Sequence, residues 1–146
     1  LFMIELDRNN LESYLLRDGT KVYLPGGNYV LLDDITVSDT IIIDETVNLC
    51  LNGHSMNFGT NDLTINGTLN VCDCSEGETG SFNPYNTMNN EGAFFRIYSG
   101  KVTTDTTTEG YMLVAGGSLI ERSGSKLIVH NKSPYIFIIL FYIIFY

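Results

Sequence analysis

Basic residues are scarce in this chain. Lys and Arg number eight in 146 residues, against 17 Asp and Glu, for a net charge of −9. A phosphate-binding surface needs clustered cations, so the balance excludes a nucleic-acid partner. An acidic surface of this kind keeps a protein soluble or attracts cations, and solubility is the simpler reading. Histidine is scarcer still: only His54 and His130 occur, and they lie far apart. A histidine-based metal site needs several ligands at recognisable spacing, so no metal and no cofactor is expected. Charged residues of all kinds make up 17% of the chain and hydrophobic residues 44%. That content is too apolar for disorder, and the length suits one domain with a real core.

Helical periodicity is nearly absent. Residues 1–20 hold the one candidate helix, with Leu6, Leu11, Leu15 and Leu16 on its apolar side and Asn9 or Asn10 as its cap. Asp18-Gly19 ends it as a turn. A terminal helix of this sort would cover the open end of a solenoid. The apolar Leu1–Leu6 lacks a basic leader and a small-residue cleavage site, so it is not a signal peptide. The Thr-, Asn-, Gly- and Tyr-rich composition suggests a piece of a longer exported protein whose signal lies upstream. A cytosolic protein is the alternative.

From Lys21 the chain becomes a series of short apolar runs broken by Gly, Asn and Asp. They are Val22–Leu24, Tyr29–Leu32, Ile35–Val37, Ile41–Ile43, Val47–Leu51, Leu63–Ile65, Leu69–Cys72, Phe94–Tyr98, Tyr111–Ala115, Ser118–Ile120 and Lys126–Val129. Runs this short and this rich in β-branched residues are strands. The segment Cys74–Glu91 reads as one long loop with a strand-like interruption near Ser81-Phe82. Val47-Asn48-Leu49-Cys50 returns 22 residues later as Leu69-Asn70-Val71-Cys72. A phrase of small residue, Gly, any residue, apolar residue recurs at Gly53, Gly67, Gly100 and Gly117, unevenly spaced. Recurrence of this kind marks a solenoid, in which thin coils bury their apolar faces only by stacking. The predicted fold is all-β: a right-handed parallel β-helix of about five or six coils over residues 21–132. A β-sandwich is the alternative, since Asn66-Gly67 between two apolar runs is a hairpin signal.

The run Tyr23-Leu24-Pro25-Gly26-Gly27-Asn28-Tyr29-Val30-Leu31, followed by Val47-Asn48-Leu49-Cys50-Leu51-Asn52-Gly53-His54 and then Val71-Cys72-Asp73-Cys74-Ser75, carries a resemblance. It resembles the opening coils of pectate-lyase-like β-helix surface proteins of Gram-positive gut bacteria, over about residues 22–82. The resemblance implies an extracellular or cell-wall-associated protein, with adhesion or glycan contact as its role.

Three further groups carry chemistry. His54 follows a turn signal, Asn52-Gly53, and is expected to cap the turn and hydrogen-bond along the stack. Cys72-x-Cys74 lacks the C-x-x-C spacing of redox and zinc motifs. The 22-residue displacement places Cys50 close to Cys72 or Cys74, with the bonding open and one thiol left over. Asp33, Asp34, Asp39, Asp44, Glu45, Asp62 and Asp73 could supply paired carboxylates for a polysaccharide lyase or hydrolase. Basic residues are rare among them, and adjacent Asp33-Asp34 reads as a turn. The uncharged Tyr135–Tyr146, within a tail at 133–146, is shorter than the roughly 20 residues a membrane helix needs. It reads as a truncation artefact or a partial anchor. The expected function is a non-enzymatic cell-surface module contacting carbohydrate or a host or cell-wall surface, with a lyase or hydrolase fragment as the alternative.

Overall fold

The computed structural model describes residues 2–124 and the backbone of Ile128–Val129. The chain opens with β1 (Ile4–Leu6), a single helical turn α1 (Leu11–Tyr14), β2 (Leu16–Asp18) and β3 (Lys21–Tyr23). It then winds through β4 (Gly27–Leu31), β5 (Ile35–Thr36), β6 (Ile41–Ile43), β7 (Thr46–Cys50), β8 (Ser55–Asn57) and β9 (Leu63–Ile65). Above these lie β10 (Thr68–Cys72), β11 (Ser81–Asn83), β12 (Asn86–Asn89), β13 (Phe94–Ile97), β14 (Lys101–Thr108), β15 (Tyr111–Val114), β16 (Ser118–Glu121) and β17 (Ile128–Val129).

The strands form three parallel faces, and the whole is a right-handed β-solenoid of about 6 turns. The first face is a six-stranded sheet in the order β1-β4-β7-β10-β13-β15. The second stacks β5, β8, β11, the first half of β14, and β16. The third stacks β3, β6, β9, β12, the second half of β14, and β17. Among the described residues only the β2–β3 pair is antiparallel. Residues one coil apart in register lie 17 (Lys101 and Ser118) to 26 (Ser55 and Ser81) positions apart. The 22-residue repeat is one such coil: Val47 pairs with Leu69, Asn48 with Asn70 and Cys50 with Cys72.

Alternation along each strand sends every second side chain inward. On the first face Val47, Leu69, Phe95 and Met112 stack as one buried column, and Tyr29, Leu49, Val71 and Ile97 as another. The second face contributes Ile35, Met56, Phe82 and Val102. The third face changes character as it climbs. Ile41 and Leu63 give way to Thr87 and Thr106, and Ile43 and Ile65 to Asn89 and Thr108. These buried polar groups are paired only in part: the Thr87 and Thr104 hydroxyls are 2.9 Å apart, and the Asn89 amide donates to Thr108 Oγ1 at 2.7 Å and to the Tyr111 carbonyl at 3.0 Å, while Asn89 Oδ1 and Thr106 Oγ1 have no hydrogen-bond partner among the described residues. The expected interruption near Ser81-Phe82 is β11, and because an apolar pattern cannot reveal a strand that turns Thr and Asn inward, the loop expected over Cys74–Glu91 also holds β12.

Two other expectations change. The N-terminal helix shrinks to four residues. Asn10 stands at its cap position, yet its side chain accepts from the Asp7 amide at 2.9 Å and donates to the Glu5 carbonyl at 2.8 Å. It braces the link from β1 instead of capping the helix. Leu11 and Leu15 do close the end of the core. The sandwich alternative fails at Asn66-Gly67. Both amides donate to the Ile43 carbonyl one coil below, at 2.8 and 3.0 Å, so β9 and β10 sit on different faces and never pair. A Cβ on Gly67 would collide with the Glu45 and Asp44 carbonyl oxygens, which is why this corner holds glycine. The uneven glycine spacing follows, because Gly53, Gly100 and Gly117 precede second-face strands and Gly67 a first-face one. The tail 133–146 and His130 lie outside the described residues.

Candidate functional site

The outer side of the first face carries an amide ladder. Asn28, Asn48, Asn70 and Arg96 occupy one register column across β4, β7, β10 and β13. The Asn48 amide donates to Asn28 Oδ1 at 2.8 Å, and the Asn70 amide to Asn48 Oδ1 at 2.8 Å. Arg96 ends the column at 3.4 Å from Asn70 Oδ1. Each rung spends one N–H and one carbonyl lone pair on its neighbours, and a primary amide has another of each to offer. Rungs repeat at about 4.8 Å, the spacing of strands in a sheet.

Aromatic rings flank the ladder. Phe94 and Tyr111, in register on adjacent strands, stack with centroids 4.9 Å apart and planes 10° apart. The Arg96 guanidinium lies over the Phe94 ring at 4.7 Å. On the other side a groove of about 420 Å³ is lined by Met3, Asn48, Asn70, Cys50, Cys72 and Tyr98, among others. Tyr98 is 36% exposed, so its ring presents a surface to solvent.

The corner between the first and second faces gathers the residues singled out in the sequence. Cys50 and Cys74 form a disulfide with a Cα–Cα distance of 5.9 Å. Closing its loop of 24 residues contributes about 3.5 kcal/mol in the chain-entropy account. Cys72, the register partner of Cys50, is free and half-buried, and burial followed by the neighbouring Asp73 charge pushes its thiol above the usual range. Asn52 and Gly53 turn the chain with φ of 50° and 78°. Left-handed backbone costs Asn little and Gly nothing. The Asn52 amide donates to the Leu31 carbonyl at 3.0 Å, one coil below. The His54 amide closes the turn on Leu51 at 2.9 Å, its carbonyl accepts from Ser81 at 3.0 Å, and its imidazole Nδ1 lies 3.6 Å from Asp34 Oδ1.

Asp73 is the centre of this corner. It is 5% exposed. Its carboxylate accepts from the Gly53 amide at 3.0 Å, the Ser75 amide at 2.9 Å, the Ser75 hydroxyl at 2.7 Å and the Gly80 amide. Burial alone would raise its pKa. The hydrogen bonds from Ser75, Gly80 and Gly53 outweigh burial and hold it below the usual carboxylate range.

The remaining candidate acids are each committed to a neighbouring coil. Asp33 pairs with Arg8, Asp34 accepts from the Ser55 amide, Asp39 pairs with Arg17, and Asp44 accepts from Asn66. Glu45 accepts from the Gly26 amide and Asp62 from the Asn86 amide. Their chemistry is that of corner ties. Among the described residues no group of three or more His, Cys, Asp or Glu could hold a metal ion, and no helix is long and apolar enough to cross a membrane.

Sequence reasoning picked out Cys50, Cys72, Cys74 and the Asn52–His54 turn, which the fold brings to one corner. It did not single out Asn28, Asn48, Asn70, Arg96 and Tyr98 as a surface. The signal was present as Asn at outward positions of successive coils, 20 and 22 residues apart. No family model, no curated protein and no solved structure matches this chain.

Proposed function

We propose that the chain is a non-enzymatic module of a cell-surface protein, binding carbohydrate along the outer side of its first face. The observation that supports this reading is the Asn28–Asn48–Asn70 ladder beside the Tyr98-lined groove. Sugar hydroxyls both donate and accept, as the free half of each amide does. An exposed aromatic ring such as Tyr98 offers an apolar face to the C–H side of a sugar ring. A solenoid fixes these groups on a rigid sheet, so a ligand binds without ordering a loop.

The setting rests on the sequence: the resemblance to pectate-lyase-like β-helix surface proteins of Gram-positive bacteria, and a composition suited to export. The larger protein would be extracellular or cell-wall associated, with this chain as its opening coils. The disulfide fits an oxidising compartment.

A glycan array with the full chain is the direct test. Binding to at least one polysaccharide class is expected, weakened about tenfold or more by Tyr98→Ala or Asn70→Ala, since one lost good contact is worth roughly 1.4 kcal/mol. Lys101→Ala, on the second face, should bind as the parent does. Binding that survives both first-face substitutions removes the ladder as the site. Chelator-sensitive cleavage of polygalacturonate would move the protein to the enzyme class instead.

A further inference from the structure

Cys50 stands within bonding range of two other cysteines. It is bonded to Cys74, with a Cα–Cα distance of 5.9 Å. It is also the register partner of Cys72 across the parallel β7–β10 pair. Alternation puts Cys50 and Cys72 on the outer side with Asn48 and Asn70. In-register residues on neighbouring strands lie about 4.8 Å apart. Disulfides span Cα distances of roughly 4.4–6.8 Å, so the backbone spacing permits both pairings of Cys50, the second once the Cβ atoms draw in to the roughly 3.5–4.5 Å that the bond needs. Cys50 and Cys72 line the same groove, and Cys72 is half-buried there, not sealed in the core.

We propose that the disulfide migrates between two positions, with Cys50 as the sulfur common to both. The Cys72 thiolate attacks Cys50 Sγ. The Cys50–Cys72 bond forms as the Cys50–Cys74 bond breaks, and Cys74 leaves as a thiolate that takes up the proton Cys72 gave. One disulfide and one thiol stand on each side, so no oxidant or reductant is required. The exchange moves the covalent tie from the Asp73 corner to the floor of the groove, where it staples β7 to β10. The corner is then held by hydrogen bonds without a covalent tie, those of Asp73 among them, and the groove loses its free thiol.

Peptide mapping tests this directly. Cleavage before Asp44, Asp62, Asp73 and Asp105 places Cys50, Cys72 and Cys74 on three separate peptides. The native full chain is held in mildly alkaline buffer, quenched in acid at intervals, alkylated and digested. The label is expected to shift from Cys72 alone to a division between Cys72 and Cys74, with Cys50 unlabelled throughout. Label confined to Cys72 at every interval overturns the proposal. A Cys74→Ser variant gives an independent arm, with circular dichroism to show that it is folded. It is expected to form the Cys50–Cys72 disulfide in oxidised glutathione. A folded variant that keeps two free thiols overturns the proposal as well.

Discussion

Phe95→Ala is expected to cost about 4 kcal/mol of folding stability, within the usual range for emptying a buried aromatic site. Phe95 is fully buried and stands between Leu69 and Met112 in the inner column of the first face. A solenoid core is only one coil wide, so a vacancy there interrupts the contacts of the coils above and below together. For a chain of this size the loss corresponds to roughly 8–16 °C in Tm. Its neighbour provides the control. Phe94 points outward and stacks on Tyr111, so Phe94→Ala should cost about 1 kcal/mol. Urea denaturation of the two variants checks both figures. Equal losses would mean that the alternation assigned to β13 is wrong.

Asp73→Ala is the second large effect, at about 3 kcal/mol, because leaving several buried donors unpaired costs roughly 1–3 kcal/mol each before relaxation and water recover part of it. The stranded donors are the amides of Gly53, Ser75 and Gly80 and the Ser75 hydroxyl. The pH dependence has a definite sign. The folded pKa of Asp73 lies below its unfolded value, which is about 3.9. Its contribution is therefore complete above that value and is lost as pH falls from there through the depressed folded pKa. Thermal melts from neutral to acid pH should show the parent losing stability in this window. Asp73→Ala, already without the contribution, should fall less steeply there. A parallel decline of both proteins would show that the carboxylate is not the corner's acid-sensitive element.

The strands with apolar inward positions were legible. Ile41–Ile43 and Leu63–Ile65 coincide with β6 and β9, and the Cys50-to-Cys72 displacement gave one coil of the register. What escaped was governed by polarity. Asn86–Asn89 and Lys101–Thr108 turn Thr and Asn inward, where Thr87 bonds to Thr104 and Asn89 to Thr108 across coils. Composition marks such segments as loop, and only the stacking partner makes them strand. Residues 1–20 form only a single helical turn for the opposite reason. Leu6 and Leu11 are core residues, but Leu6 enters from a strand, and leucine spacing alone does not distinguish the two.

The site was legible in pieces. The Asn52-Gly53 turn and the cysteines stood out by residue type. The outer ladder did not, because a single Asn in a strand reads as ordinary surface. Its meaning depends on which Asn lies one coil away, and that register needs the lengths of every intervening corner. Asp73 was visible as a carboxylate, but its role was not, since three of its four donors are backbone amides.

The buried columns, the outer ladder and the Cys50–Cys72 pairing all depend on parallel stacking in this register. Backbone nuclear Overhauser contacts in labelled full-length protein measure it most directly. Contacts of Leu69 with Val47 below and Phe95 above are predicted, with none between Leu63–Ile65 and Thr68–Cys72. Cross-strand contacts between those two segments, folded back at Asn66-Gly67 as a hairpin, would contradict it.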